Sequence, residues 1–164
     1  MTALESPSPP TRLRLDKRFQ PSPAEPGDEI YPNGIFEFNI TRLLAFIQKH
    51  PDRFPVESVQ VRAIPNYGSP NLNEETIRLA DLTRPILLAE IAPEQNGVID
   101  GHHRLAKARQ DGAVTLPAYR LRCPAHVPFL TSTFAYQKYV DYWNDKIGTL
   151  EGPRRSGRTR ARRA

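Results

Sequence analysis

The segment Val98–Ile99–Asp100–Gly101–His102–His103–Arg104–Leu105–Ala106–Lys107–Ala108 holds the residues whose types and spacing could do chemistry. An apolar strand turns at a glycine directly into a helix that begins His-His-Arg. A helix N-terminus exposes N–H groups and a partial positive charge, so first turns favour Asp and Glu, and Lys or Arg belongs at the other end. Two imidazoles and a guanidinium at this place are unfavourable until an anion sits among them. A phosphate resolves the conflict, because N–H groups, dipole and side chains then converge on one negative group.

Gly101, His102, His103 and Arg104 are therefore the candidate binding residues, and Asp100 and His102 the candidate catalytic ones. Arg104 is long enough to fold back over a bound phosphate, and its plainer role is a bridge to Asp100 or Glu90. Asp100, at the strand end, either holds a magnesium ion, orients His102 or caps the helix. His103 either touches the ligand or packs inward onto a backbone group. Arg84, just before Pro85, either reaches the same crevice or is a surface arginine. Neighbouring helical residues diverge by about 100°, so His102 and His103 do not share one ion. With His50 and His126 they make no zinc-like spacing, and no transition-metal site is expected.

The elements that must position this segment follow from periodicity. Phe36 to Phe54 opens the ordered part, with Ile40, Leu43, Leu44 and Ile47 on one helical face, Asn39 or Thr41 as cap and Pro51 as stop. Val56 to Ile64 alternates as a half-buried strand, and Pro65 to Pro70 carries turn chemistry. Asn73–Glu74–Glu75–Thr76 starts a short capped helix that ends before Pro85. Ile86–Leu87–Leu88–Ala89–Glu90–Ile91 is an apolar strand, and Gly97–Asp100 returns after a Pro93–Gly97 turn as its hairpin partner. Gly112 ends the helix of the opening motif, Leu116–Arg122 resumes as a strand, and Thr131–Ile147 forms a last helix with an aromatic stripe. The sum is a small α+β domain in which helices cover a short mixed sheet.

Composition sets the outer limits. The chain has 164 residues, 17 of them proline, and seven of those prolines lie between Pro7 and Pro32. Residues 1–33 accordingly read as a disordered Pro-rich arm, 34–148 as one domain and 149–164 as a disordered Arg-rich tail. The net charge is +5, yet the tail alone carries six arginines between Arg154 and Arg163, so the remainder is near neutral. The domain is not a basic nucleic-acid reader by charge; the tail is either a weak, nonspecific DNA contact or a solvated end. A single cysteine, Cys123, excludes an intramolecular disulfide framework and makes the cytoplasm the default. No apolar run of membrane-spanning length and no signal-peptide core is present, so no membrane partner is expected.

From the strand before Pro65–Asn66, through Thr83–Arg84–Pro85–Ile86–Leu87–Leu88, to Asp100–Gly101–His102–His103–Arg104–Leu105–Ala106–Lys107–Ala108, Gly112 and Pro117, the order of elements resembles the ParB/sulfiredoxin superfamily. The resemblance implies that fold, and a helix N-terminus that seats the phosphates of ATP or another nucleotide, with magnesium through Asp100. His102 stands where sulfiredoxins carry their nucleophilic cysteine, which argues against sulfinic-acid reduction. After Leu121 there is only one helix and the arginine tail, where partition proteins carry a helix-turn-helix domain. The Asp-Gly-His-His-Arg spelling is most similar to a branch that phosphorylates free serine, whose general-base Glu follows the first strand. Residues 65–69 hold no carboxylate, so a base must come from a shifted position, Glu57 earlier or Glu74 and Glu75 later, or from Asp100. The resemblance thus implies an ATP-dependent small-molecule kinase or nucleotidase, with a DNA-associated accessory protein as the alternative.

Overall fold

The computed structural model describes residues 9–33, 35–65 and 71–152. Two strands, β1 (Ile30–Asn33) and β2 (Phe36–Asn39), pair antiparallel as a hairpin and lead into α1 (Ile40–Lys49). Then come β3 (Glu57–Gln60), a 3-10 turn at Val61–Ala63, α2 (Glu74–Leu79), β4 (Ile86–Ala92), β5 (Gln95–Asp100), α3 (His102–Gln110), β6 (Thr115–Leu121) and α4 (Thr133–Glu151). The second sheet has the order β3-β6-β4-β5. Its β3–β6 and β4–β5 pairs are antiparallel and its β4–β6 pair is parallel, joined by the crossover through β5 and α3. The protein is a small α+β fold with two small sheets and four helices among the described residues.

The apolar run of β4 explains why it lies inside the sheet. Leu87 and Ala89 point into a core shared with α1, α4 and the β1–β2 hairpin, while Ile86 and Leu88 point into a second core under α3. A strand buried on both faces needs this continuous apolar sequence instead of alternation. On α4 the buried stripe is Ala135, Tyr136, Tyr139, Val140, Trp143 and Ile147, so its aromatics are core and leave Phe134 exposed. No helix among the described residues is long and apolar enough to cross a membrane.

Several boundaries differ from the sequence reading. Phe36 opens a strand rather than the first helix, which starts at Ile40 with Asn39 as its cap, the Asn39 side chain accepting from Arg42 N. The alternating stretch from Val56 stays extended only to Gln60, because Val61 turns inward as its N–H bonds Val114 O. The β4–β5 turn is only Pro93–Glu94, Glu94 taking φ +63° after the proline, as a type II turn requires. The last helix continues past residue 148 to Glu151.

The largest correction concerns the Pro-rich segment read as a disordered arm. From residue 9 onward it lies against α4. Trp143 Nε1 donates to Thr11 O at 2.9 Å, Leu13 N to Asn144 Oδ1 at 2.8 Å, and Asp16 N to the Tyr136 hydroxyl at 2.7 Å. Phe19 stacks on Tyr136 with ring centroids 3.9 Å apart, and buried Ser22 donates its N–H to Leu130 O. Prolines remove N–H groups that would need partners, so an extended strap with sparse apolar anchors can dock where a periodic element cannot. The turn expected at residues 66–70 and the arginine tail from residue 153 lie outside the described residues.

Candidate functional site

The start of α3 is built by Gly101, which sits at φ +100° and ψ 25° between β5 and the helix. A Cβ there would stand 2.5 Å from Ile86 Cγ2 and 3.0 Å from Arg104 Nη2, so glycine alone satisfies both the left-handed backbone and the contact with β4. The first helical bond runs from Leu105 N to Gly101 O. The N–H groups of His102, His103 and Arg104 therefore precede the hydrogen-bonded ladder. No acidic residue occupies the first turn and no side chain caps it. The other end closes on itself: Gly112 takes φ +67°, Gly112 N bonds Arg109 O, and Ala113 N bonds Ala108 O at 2.8 Å, a Schellman motif.

The side chains of this turn are tied down. Arg104 Nη2 pairs with Asp100 Oδ2 at 3.1 Å, and its Nη1 donates to Pro85 O at 3.0 Å and Arg84 O at 3.4 Å. Both side chains are nearly out of solvent, at 11% and 14% exposure, so the bridge reading fits Arg104 and the fold-back over a phosphate does not. The guanidinium instead fixes the backbone of residues 84 and 85. Arg84 is thereby anchored by its carbonyl while its side chain stays exposed. It, rather than Arg104, is the arginine available to an anion. His103 Nε2 accepts from Asn73 N at 3.3 Å, and Asn73 in turn caps α2 by accepting from Glu75 N and Thr76 N. His103 thus bonds a backbone amide and secures α2 against α3.

His102 Nε2 lies 3.0 Å from the Tyr31 hydroxyl, with the rings 5.1 Å apart. Burial holds this imidazole below its usual pKa, against the opposing pull of Asp100. The same strand that delivers Tyr31 is preceded by Glu29, whose carboxyl is raised above the usual range. Desolvation is the main cause and the Asp100 charge the second, with Arg104 and Arg84 pulling the other way. Glu29 is exposed as a whole residue, and its backbone is fixed by Glu29 N donating to Thr41 Oγ1 and Ile40 N donating to Glu29 O. Asp81, accepting from Thr83 N and Thr83 Oγ1, is held low by those bonds and by Arg84 and Arg104.

The structure thus brings Asp100, Gly101, His102, Arg104 and Arg84 together and adds Glu29 and Tyr31, which a reading of residues 1–33 as an arm had set aside. The one signal for them was the Glu29–Ile30–Tyr31 spelling, a β-prone pair after an acid, too short for periodicity. Among the described residues no group of three His, Cys, Asp or Glu side chains is assembled for a metal ion. Asp100 Oδ2 is committed to Arg104, so Oδ1 is what this residue could offer a magnesium ion arriving with phosphates, which would neutralise their charge. Comparison of the chain with protein-family models, curated proteins and solved structures gave no match.

Proposed function

We propose that the chain is a nucleotide-binding domain of ParB/sulfiredoxin type, which seats phosphates on the N–H groups of His102, His103 and Arg104 with Arg84 alongside. The observation that carries this reading is the start of α3: a nine-residue helix on a left-handed glycine, with no acid in its first turn and no side-chain cap. Oriented N–H groups and the helix dipole favour an anion there, and Arg84 adds an exposed charge.

Glu29 extends the reading from binding to an ATP-dependent small-molecule kinase. Phosphoryl transfer needs positioning, charge neutralisation and a carboxylate near the acceptor hydroxyl. Residues 65–69 lack that carboxylate, whereas Glu29, two residues before the Tyr31 that meets His102, has a carboxyl raised by desolvation and by the Asp100 charge and could accept the hydroxyl proton. His102 and Asp100 then serve as positioning groups, one held by Tyr31 and the other holding Arg104.

Calorimetric titration with ATP, ADP and CTP, each with and without magnesium, tests the proposal. Saturable binding of at least one nucleotide, weakened roughly tenfold or more by Arg84→Glu, is expected. Absence of heat and of a thermal shift with all three would overturn it. If binding stands, Glu29→Gln should abolish ATP consumption with a hydroxylated acceptor while leaving affinity within a few-fold.

A further inference from the structure

The fold joins the two most basic stretches of the chain. Residues 12–18 hold Arg12, Arg14, Lys17 and Arg18 against the single acid Asp16, and residues 154–163 hold six arginines and no acid. In the rest of the chain acidic residues outnumber basic ones. The two stretches lie near opposite ends of the sequence, yet Arg12 Nη2 pairs with Glu151 Oε2 at 3.1 Å, one residue before the Gly152 that caps α4. The arginine-rich sequence therefore leaves the described fold next to the start of the strap. Along the strap, Leu13 and Phe19 pack onto the core, whereas Arg14, Lys17 and Arg18 are exposed and make no ion pair among the described residues. The backbone that carries these three cations is fixed. Asp16 N donates to the Tyr136 hydroxyl at 2.7 Å, and Phe19 N bonds Asp16 O at 3.1 Å, closing a turn with Lys17 and Arg18 at its centre. Asp16 Oδ1 accepts from Arg18 N at 2.8 Å, so the one acid of the stretch is spent on that turn. Asp141 and Asp145 line the recess beside Arg12 and mark the border of the cationic patch.

We propose that Arg14, Lys17 and Arg18, together with the arginines that follow Gly152, bind a nucleic-acid duplex through its phosphate backbone without reading its sequence. A duplex is the polyanion with the densest regular charge, about one per 1.7 Å of axis, and each cation that meets a phosphate releases a counterion. Guanidinium groups suit phosphate because they can donate to two of its oxygens at once. The fixed turn lowers the ordering cost of bringing three cations to one surface. A single strand fits less well, because residues 12–18 hold no aromatic side chain and Phe19 is stacked on Tyr136, so a base finds no platform. An anionic membrane also fits less well. Interfacial binding inserts an apolar face, and the strap keeps Leu13 and Phe19 against the core and exposes only Leu15. None of these residues belongs to the start of α3, so this surface works independently of nucleotide binding there.

The test is fluorescence anisotropy of a dye-labelled DNA duplex of two helical turns, titrated with the full chain over a series of salt concentrations. Saturable binding at low salt is expected, equal for two unrelated duplex sequences and falling steeply as salt rises. Combining Arg14→Glu, Lys17→Glu and Arg18→Glu should weaken it roughly tenfold or more and flatten the salt dependence. The neutral set, Arg14→Gln, Lys17→Gln and Arg18→Gln, should weaken it less. Trp143 emission checks that the strap stays docked in both sets, since Trp143 bonds Thr11 O. A chain ending at Gly152 should also bind more weakly. No binding at low salt, unchanged affinity in both strap sets, tighter binding of an oligothymidylate, or equal affinity for phosphatidylserine vesicles would overturn the proposal.

Discussion

Arg104 Nη2 lies 3.1 Å from Asp100 Oδ2 and so ties the first turn of α3 to the last residue of β5. The pair changes the meaning of the cationic helix start. Asp100 supplies the negative group that the first turn lacks, so the guanidinium is neutralised internally and only the N–H groups and Arg84 are left for an external anion. Because the same guanidinium also bonds Pro85 O and Arg84 O, one side chain sets the relative positions of β4, β5 and α3.

Arg104→Ala should therefore act on stability before it acts on binding. Removing it strands a nearly buried carboxylate and two carbonyls, a loss of about 3 kcal/mol. Urea denaturation should show a lowered midpoint with little change in slope. Asp100→Asn should cost less, since an amide oxygen still accepts from the guanidinium. An Arg104→Ala protein as stable as the parent would show that the pair does not organise the turn.

Gly101→Ala is expected to be as disruptive despite its small size. The new methyl would stand 2.5 Å from Ile86 Cγ2, at a φ of +100° that L residues rarely adopt. Strain and overpacking together should cost more than about 2 kcal/mol. Measured against Ile86→Ala alone, the double variant should recover only the part due to Ile86 Cγ2, because Ile86 Cβ at 2.9 Å from the new methyl and the backbone strain both stay. Full rescue by Ile86→Ala would mean that the left-handed conformation carries no cost.

How much of this was legible in the sequence differs between backbone and side chains. Asn39 and Asn73 mark helix starts by local chemistry, β4 announces burial on both faces by its apolar run, and Gly101 and Gly112 bracket α3 through the backbone angles they allow. The partners of the site side chains were not legible, since Tyr31 meets His102 across 71 positions and Asn73 meets His103 across 30. Neither contact leaves a periodic trace. The docking of residues 9–33 was hidden for a related reason: Leu13 and Phe19 are too far apart to read as a face, and their holding power comes from residues on α4.

His126 makes the fold sensitive to acid. Its side chain is fully buried, and the single Tyr139 hydroxyl proton goes to Glu90 O at 2.7 Å, so His126 Nε2 must donate to Tyr139 at 2.8 Å. Its Nδ1 is then an unprotonated, unpartnered atom in the core. Burial lowers the pKa from 6.5 to about 4. The unfolded chain therefore binds a proton that the folded chain refuses, and stability falls as pH drops from 6.5 to about 4. The loss is roughly 3 kcal/mol across that window. Thermal unfolding of the parent and His126→Gln should show the variant less stable at pH 7 but with a flatter dependence below 6.5. An equally steep fall in both would remove His126 as the cause.

Deleting residues 1–19 tests whether the Pro-rich strap belongs to the fold. The deletion removes the Thr11 carbonyl from Trp143, the Leu13 backbone from Asn144 and the Phe19 ring from Tyr136. Loss of the partial burial of Leu13 and Phe19 and of these hydrogen bonds should leave the truncated protein less stable. Trp143 is the only tryptophan in the chain and is 3% exposed, so its fluorescence reports directly on the cover. The truncated protein should emit at longer wavelength and unfold at lower urea, with the far-ultraviolet helix signal preserved. Because the strap leads into Glu29 and Tyr31, nucleotide affinity should also weaken if anchoring at α4 holds β1 in place. An unshifted emission and an unchanged urea midpoint would mean that residues 9–19 rest on α4 without stabilising it.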